Sequence, residues 1–365
     1  MSTNLDILRS LAVIYVISFH LLKFFLGGLS LESQHRLETV GSLGVYIFFV
    51  HTTIVLMQSL ERHGANWFKF MVRRCFRIYP LSIVLVTIVW LFQIPQSENF
   101  GYFFWPGEGL RGYISNLLLI QDFTRNWSMP GVLWTLPLEM QMYLVLPLFF
   151  LLAKRAANSL QLIAFWIVYT VGVFFFYLVL PSTYQINLPL RGFMYVPCFF
   201  PGVIAYKLIH QERRIGAQWW PLCLIGLSVV FACVAPSSPW IARWCICLVI
   251  GLLIPAFKEF GEGIISQISL QIAKYSYGLY LTHSLAIWFA FQRLAVIPLW
   301  SRVVVFITLL MVLPVLLYSI VEAPMIQAGR RLTSPKRVEA SASVSLIEPG
   351  AEPALVGSGH GDLCS

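Results

Sequence analysis

Residues 5–26 read LDILRSLAVIYVISFHLLKFFL. The run has the length and apolarity to cross a bilayer as a helix, which takes about 20 residues. Among the ionisable residues within it are Arg9 and His20. Eleven residues of α-helix turn through about 1,100°, three turns plus roughly 20°, so the two share one face. At about 1.5 Å per residue they stand about 16 Å apart along the axis. One then lies near a membrane surface and the other deep in hydrocarbon, where ionisable groups are costly and usually line a functional cavity. Asp6, three residues before Arg9, is within pairing reach on the same helix.

The rest of the chain has the same character. Of 365 residues, 58% are hydrophobic and only 11% charged, and the mean hydropathy is +0.76. That excludes an ordinary soluble globule and predicts an all-α, polytopic transmembrane bundle. The short alternating segments of a transmembrane β-barrel are missing. The 28 Phe, 15 Tyr and 12 Trp suit a lipid-facing surface with aromatic belts. About ten spans are expected, near 5–26, 40–60, 79–94, 132–153, 160–180, 192–209, 219–235, 240–257, 273–292 and 302–322. Segment 110–121 is too short to span and reads as interfacial or re-entrant. No A-x-A-like cleavage site follows the first run, so it is expected to remain as a span. The seven cysteines read as small apolar packing residues. The close pair Cys245 and Cys247 lacks the nearby ligands of a metal site, so no metal is expected.

The net charge of +9 does not imply nucleic acid, because the basic residues follow a topological pattern. Loop 61–78 holds Arg62, Lys69, Arg73, Arg74 and Arg77. Alternate loops add Lys154 and Arg155, then Lys207, Arg213 and Arg214, then Lys258 and Lys274. The side that carries most arginine and lysine is the cytoplasmic one. Both termini are therefore expected in the cytoplasm, with the chain multi-pass in the cell (inner or plasma) membrane and in contact with its lipid. Arg9 then faces the cytoplasmic side and His20 the outer half. Residues 1–332 form the expected membrane domain. Residues 333–365, rich in Ser, Ala, Gly and Pro, read as a disordered cytoplasmic tail. The longest outer loop, 95–131, is the expected place for contacts with an external substrate.

Four further groupings carry possible chemistry. Arg74 and Arg77 are i,i+3, so a helix gathers them on one side. Guanidinium forks suit phosphate oxygens, while positive-inside bias toward anionic lipid explains the same patch without a ligand. Glu139 and Tyr143 are i,i+4 in WTLPLEMQMY, residues 134–143. A carboxylate in an apolar span needs a partner or a wet cavity, and His20 or an arginine is a candidate partner. Tyr280 and His283 are i,i+3 and place a second histidine in the ninth span. Each histidine also has the plainer reading of a ring satisfied by a neighbouring helix. Glu322, at the end of the last span, reads as a structural partner of basic loop residues. No G-x-S-x-G, H-E-x-x-H or P-loop pattern is present.

In this order, these segments resemble the acyltransferase 3 family of integral membrane enzymes, over about residues 3–332. The R-x10-H spacing is met by Arg9 and His20, and R-x-x-R by Arg74 and Arg77. The W-x-L-x-x-E-x-x-x-Y pattern is met by Trp134, Leu136, Glu139 and Tyr143, and S-Y-x-x-Y-L-x-H by Ser276 to His283. The second span departs from the family's usual G-V-D-x-F-F-V-x-S-G-F. Tyr46 replaces the acid, Thr52 and Thr53 replace Ser-Gly, and His51 is an extra ionisable group.

The resemblance implies transfer of an acyl group, acetyl above all, from cytoplasmic acyl-coenzyme A to a hydroxyl of a surface or exported glycan or glycolipid. Acyl-coenzyme A is then a cosubstrate, with no permanently bound cofactor. Arg9, Arg74 and Arg77 are its expected binding residues. His20 is the expected general base or transient acyl carrier, oriented by Glu139. Tyr143, Tyr280 and His283 are the expected positioning residues. Two other readings stand beside this one. The first is a proton-coupled transporter or flippase of a polar solute, which the absence of a detectable internal repeat weakens. The second is a non-catalytic relative, which the departures at Tyr46, Thr52 and Thr53 permit.

Overall fold

A computed structural model describes residues 2–26, 31–62, 66–94, 109–179, 192–209, 215–235 and 239–334. Residues 95–108 of the expected outer loop and 335–365 of the expected tail lie outside the described residues.

The described chain is helical throughout. It begins with α1 (Thr3–Phe25), α2 (Leu31–Arg62) and α3 (Trp67–Leu91), followed by the short α4 (Gly109–Leu117) and α5 (Gln121–Thr124). A 3-10 turn, Gly131–Trp134, leads into α6 (Thr135–Arg155) and α7 (Ser159–Val179). Then come α8 (Gly192–Phe199), α9 (Pro201–Leu208), α10 (Trp219–Val234), α11 (Pro239–Leu253) and α12 (Ile264–Ile287). The last elements are α13 (Leu299–Leu317) and α14 (Ala323–Thr333), with π-helical turns at Trp288–Arg293 and Tyr318–Glu322. No strand occurs among the described residues beyond one isolated bridge, Ile215 to Phe257.

Among the described residues, six helices have the length and apolarity to cross a membrane: Thr3–Phe25, Gly41–Arg62, Trp67–Leu91, Gly131–Arg155, Ser159–Val179 and Leu299–Thr333. Shorter apolar helices cover Gly192–Leu208, Trp219–Val234 and Trp240–Ala256. Large apolar side chains such as Val168, Val179, Val304, Met311 and Ile320 face outward, as a lipid-contacting surface requires. The α4 helix exposes Leu110 and Ile114, and its Tyr113 stacks on Trp90 of α3, ring centroids 4.5 Å apart.

Several boundaries differ from the sequence expectation, for one reason. An apolar run marks where a helix meets hydrocarbon, whereas hydrogen bonding decides where it starts. The α3 helix begins at Trp67, capped by Asn66 accepting from the Lys69 amide, rather than near residue 79. The basic turn is therefore part of the helix. Likewise α12 starts at Ile264 through polar sequence, and the expected span 192–209 is two helices that meet at Phe200.

The helix that carries Arg9 and His20 is held at the centre. It packs chiefly on α2 and α12. Asn4 anchors its start: its side-chain amide donates to the Lys258 carbonyl at 2.9 Å and accepts from the Phe260 amide at 3.0 Å. One turn on, the Ser10 hydroxyl reaches the Ser269 carbonyl of α12 at 2.9 Å. Against α2 the contact is backbone-close at Gly44, where a Cβ would stand 2.5 Å from the Ala12 carbonyl oxygen and 2.9 Å from Val16 Cγ2. Such small residues let membrane helices approach tightly. Gly44→Val is expected to force these helices apart at a cost of about 1–3 kcal/mol, the usual range for overpacking. Thermal unfolding of the detergent-purified variant should show a lowered midpoint.

Candidate active site

Two cavities lie along α1. The first is a cleft of about 740 Å³, including space open to solvent, walled by α1, α2, α3, α6 and α12. Arg9 enters it from α1, Arg74 and Arg77 from α3, and Glu139 and Tyr143 from α6. The i,i+3 spacing thus does turn Arg74 and Arg77 to one side. Arg73 points elsewhere, its Nε donating to Thr333 Oγ1 at 2.7 Å. Tyr143 donates to Glu139 Oε2 at 2.6 Å, so these i,i+4 side chains meet. The charges of Arg9, Arg77 and Arg74 all act on Glu139. Three guanidinium groups against one carboxylate leave the lining cationic, which favours an anionic ligand. Neither Arg9 Nε nor Arg74 Nε has a hydrogen-bond partner among the described residues.

The second cavity is a cleft of about 680 Å³, including space open to solvent. His20 and Lys23 of α1 line it, with Glu38 and Ser42 of α2 and Trp134 beside α6. His20 is only 4% exposed, and its ring centroid lies 5.0 Å from that of His283. His283 Nδ1 is 3.2 Å from the Leu279 carbonyl. A carbonyl can only accept, so this hydrogen bond puts the proton on Nδ1 and leaves Nε2 as the acceptor. His283 Nε2 has no hydrogen-bond partner among the described residues.

Val45 and Tyr280 line both cavities and so form the wall between them. The Tyr280 hydroxyl donates to the Val132 carbonyl at 2.8 Å and lies 3.0 Å from Thr135 Oγ1. The shared face of Arg9 and His20 is therefore divided, with one residue in each cavity.

Glu139 and His20, which the sequence reading put together, line different cavities. Glu139 is engaged by Tyr143 one turn along its own helix and by the arginine charges, in the first cavity. Neighbours of His20 among the described residues include the rings of Phe19 and His283 and the charge of Lys23.

Two residues of interest were not assigned to the site from sequence. His51 is buried and lines the cationic cavity, with Nδ1 unpartnered among the described residues. Its only sequence signal was its departure from the second-span pattern. Glu322 is 1% exposed, and neither carboxylate oxygen has a hydrogen-bond partner among the described residues. It was read as a partner of basic loop residues; its charged neighbours are Arg77, from the basic stretch 61–78, and Arg9. It closes a π-helical turn, a distortion common near functional sites.

Comparison with known proteins adds a family to this geometry. The acyltransferase domain family matches residues 2–319. A protein of Acidianus two-tailed virus, provisionally named acetyltransferase ORF330, is 24% identical over 263 residues, covering 67% of this chain and 73% of that protein. The peptidoglycan O-acetyltransferase OatA of Listeria monocytogenes serovar 1/2a is 29% identical over 180 residues. That match covers 44% of this chain and 26% of the relative. No solved structure matches the chain.

Proposed function

The chain belongs to the acyltransferase domain family, and from that premise we propose that it moves an acetyl or similar acyl group from cytoplasmic acyl-coenzyme A to a hydroxyl of a glycan on the outer side. The observation that carries this reading is the pair of cavities sharing one wall, one lined by three arginines and the other by a buried imidazole pair.

The donor's phosphates would sit among Arg9, Arg74 and Arg77, whose planar forks match phosphate oxygens. Tyr143 and Glu139 would hold these guanidinium groups in place. The pantetheine arm would follow α1, whose arginine and imidazole stand about 16 Å apart along the axis. The thioester would pass the Tyr280 partition and reach His20. His20 would remove the proton of the acceptor hydroxyl while its oxygen bonds to the thioester carbonyl carbon. The carbon–sulfur bond would then break, and the coenzyme A thiolate would take the proton from the imidazolium. An ester and free coenzyme A result, with no ATP or metal in the balance. His283, with its proton committed to Leu279, would offer Nε2 to orient the catalytic ring. In this reading both termini are cytoplasmic, as the basic loops require.

The test is transfer of label from acetyl-coenzyme A to a glycan by the purified full-length chain in liposomes. Labelled ester is the expected product. Solute flux driven by a proton gradient, with no labelled ester, would replace this reading with a transporter.

A further inference from the structure

The mechanism above leaves His51 unused. Its side chain is 4% exposed and lines the cavity of the three arginines. Its Nδ1 has no hydrogen-bond partner among the described residues. The imidazole is an addition to the second-span pattern, so this chain brings to the cavity a group that the shared motifs do not. The other titratable groups of the lining are already engaged. Arg9, Arg74 and Arg77 are cations throughout the physiological range. The hydroxyls of Tyr143, Tyr277 and Tyr280 donate to Glu139, to the Ile78 carbonyl and to the Val132 carbonyl. Glu139 accepts from Tyr143 and feels all three arginine charges. Asp6 and Glu322, charged neighbours of Arg9, stand outside the lining. Lys154 of α6 pairs with Glu61. Among the other helices packed on α2, Tyr195 and Cys198 of α8, Tyr206 and Lys207 of α9 and Arg243 and Cys247 of α11 do not line the cavity, and α10 brings no charged residue. Arg9 is the charged group that acts on His51 directly.

We infer that His51 is the proton-carrying contact of this anion site: a phosphate-bearing ligand that enters the arginine cavity brings a proton from the cytoplasmic solvent onto the His51 ring, and the proton leaves with it. The inference rests on the donor reading above and adds to it a proton that accompanies the donor. The argument is one of charge. Three guanidinium groups repel a further positive charge, whereas the phosphates of a ligand attract one. The proton affinity of a ring on this wall therefore differs between the empty and the occupied cavity, and the low dielectric of the bundle interior enlarges the difference. A neutral imidazole has one donor and one acceptor nitrogen, while the imidazolium has two donors, the form that phosphate oxygens accept from. No protein group competes for Nδ1 among the described residues. Histidine is also the side chain whose proton moves near neutral pH when its surroundings change. The proton is bound only while the cavity is loaded and returns to solvent when coenzyme A departs, so ester formation keeps its balance.

The experiment is isothermal titration of the full chain in nanodiscs with acetyl-coenzyme A near neutral pH, run in PIPES and in Tris. The dependence of the binding heat on the buffer's ionisation enthalpy counts the protons taken up. The unaltered protein should take up at least about 0.3 proton more per donor bound than His51→Gln does. The difference between the two proteins cancels any proton exchanged by the donor's own phosphates. Uptake on binding means that binding is favoured at low pH. Affinity of the unaltered protein should therefore fall by up to about tenfold per pH unit, relative to His51→Gln, as pH rises through the range where the ring of the loaded cavity titrates. The variant should also bind about tenfold more weakly near neutral pH, having lost one charged hydrogen bond. A merely structural role would lower affinity without moving the proton count. His51→Asn serves if the first variant fails to fold. Equal uptake in the two proteins would overturn the inference and pass the proton to Glu139. A pH dependence shared by both proteins would overturn it as well. Should acetyl-coenzyme A not bind, the donor reading falls and inorganic pyrophosphate becomes the probe. Uptake that depends on His51 would then keep the inference, and either uptake independent of His51 or no pyrophosphate binding would end it.

Discussion

His20→Ala is expected to lower acyl transfer by about 10²- to 10⁴-fold, the range that a positioned general base contributes. Acetyl-coenzyme A affinity should stay within about twofold, because the proposed phosphate contacts are with the arginines of the other cavity and not with the imidazole. The two readouts together make this a test of chemistry rather than of folding. A variant with both transfer and binding lost would point to collapse of the bundle. A variant with full transfer would remove His20 from the catalytic role and direct attention to His283 or to His51, which faces the donor cavity. Alanine leaves less strain than a larger residue, since the ring's contacts with Phe19 and His283 are lost without new ones being forced.

The second large effect is expected from reversing the charge of Arg74 and Arg77 together. A hydrogen bond to a charged group contributes about 1.5–3 kcal/mol, and each 1.4 kcal/mol is tenfold in affinity. Arg74→Glu with Arg77→Glu should therefore weaken coenzyme A binding at least about 100-fold, measured by isothermal titration on the detergent-purified protein. The same measurement with dephospho-coenzyme A should show a smaller loss, because fewer phosphate charges meet the altered cavity. Unchanged coenzyme A affinity would reassign the patch to lipid headgroups. The control is Arg73→Glu, whose partner is Thr333 and which does not line the cavity. It should leave coenzyme A affinity close to that of the unaltered protein.

Much of the site was readable from spacing alone. Helical periodicity is a rigid rule over a dozen residues, so Arg9 with His20, Arg74 with Arg77 and Glu139 with Tyr143 were each placed on common faces correctly. What spacing does not encode is the depth of a neighbouring helix. The division of the α1 face by Tyr280 depends on how α12 packs against α1, and that packing joins residues more than 250 positions apart, such as Ser10 and Ser269. The same limit hid the Lys23 to Glu38 pair, whose members lie on successive helices. It also gave no sign that Glu139 lines a different cavity from the imidazole. Glu322 was legible as ionisable, but its burial follows from a π-helical turn that no local propensity announces. The helix starts at Trp67 and Ile264 were missed because polar residues lower the hydropathy of a segment that stays helical.

The uninterrupted run of α1 from Thr3 to Phe25 has a consequence for how the chain can vary. Because no break lies between positions 9 and 20, a single inserted or deleted residue there would swing the imidazole by about 100° relative to the arginine. It would leave its cavity for the packed or lipid side of the helix. Point changes can drift along this segment, but its length is locked in phase, and indels should be excluded from it far more strictly than from the connections between helices.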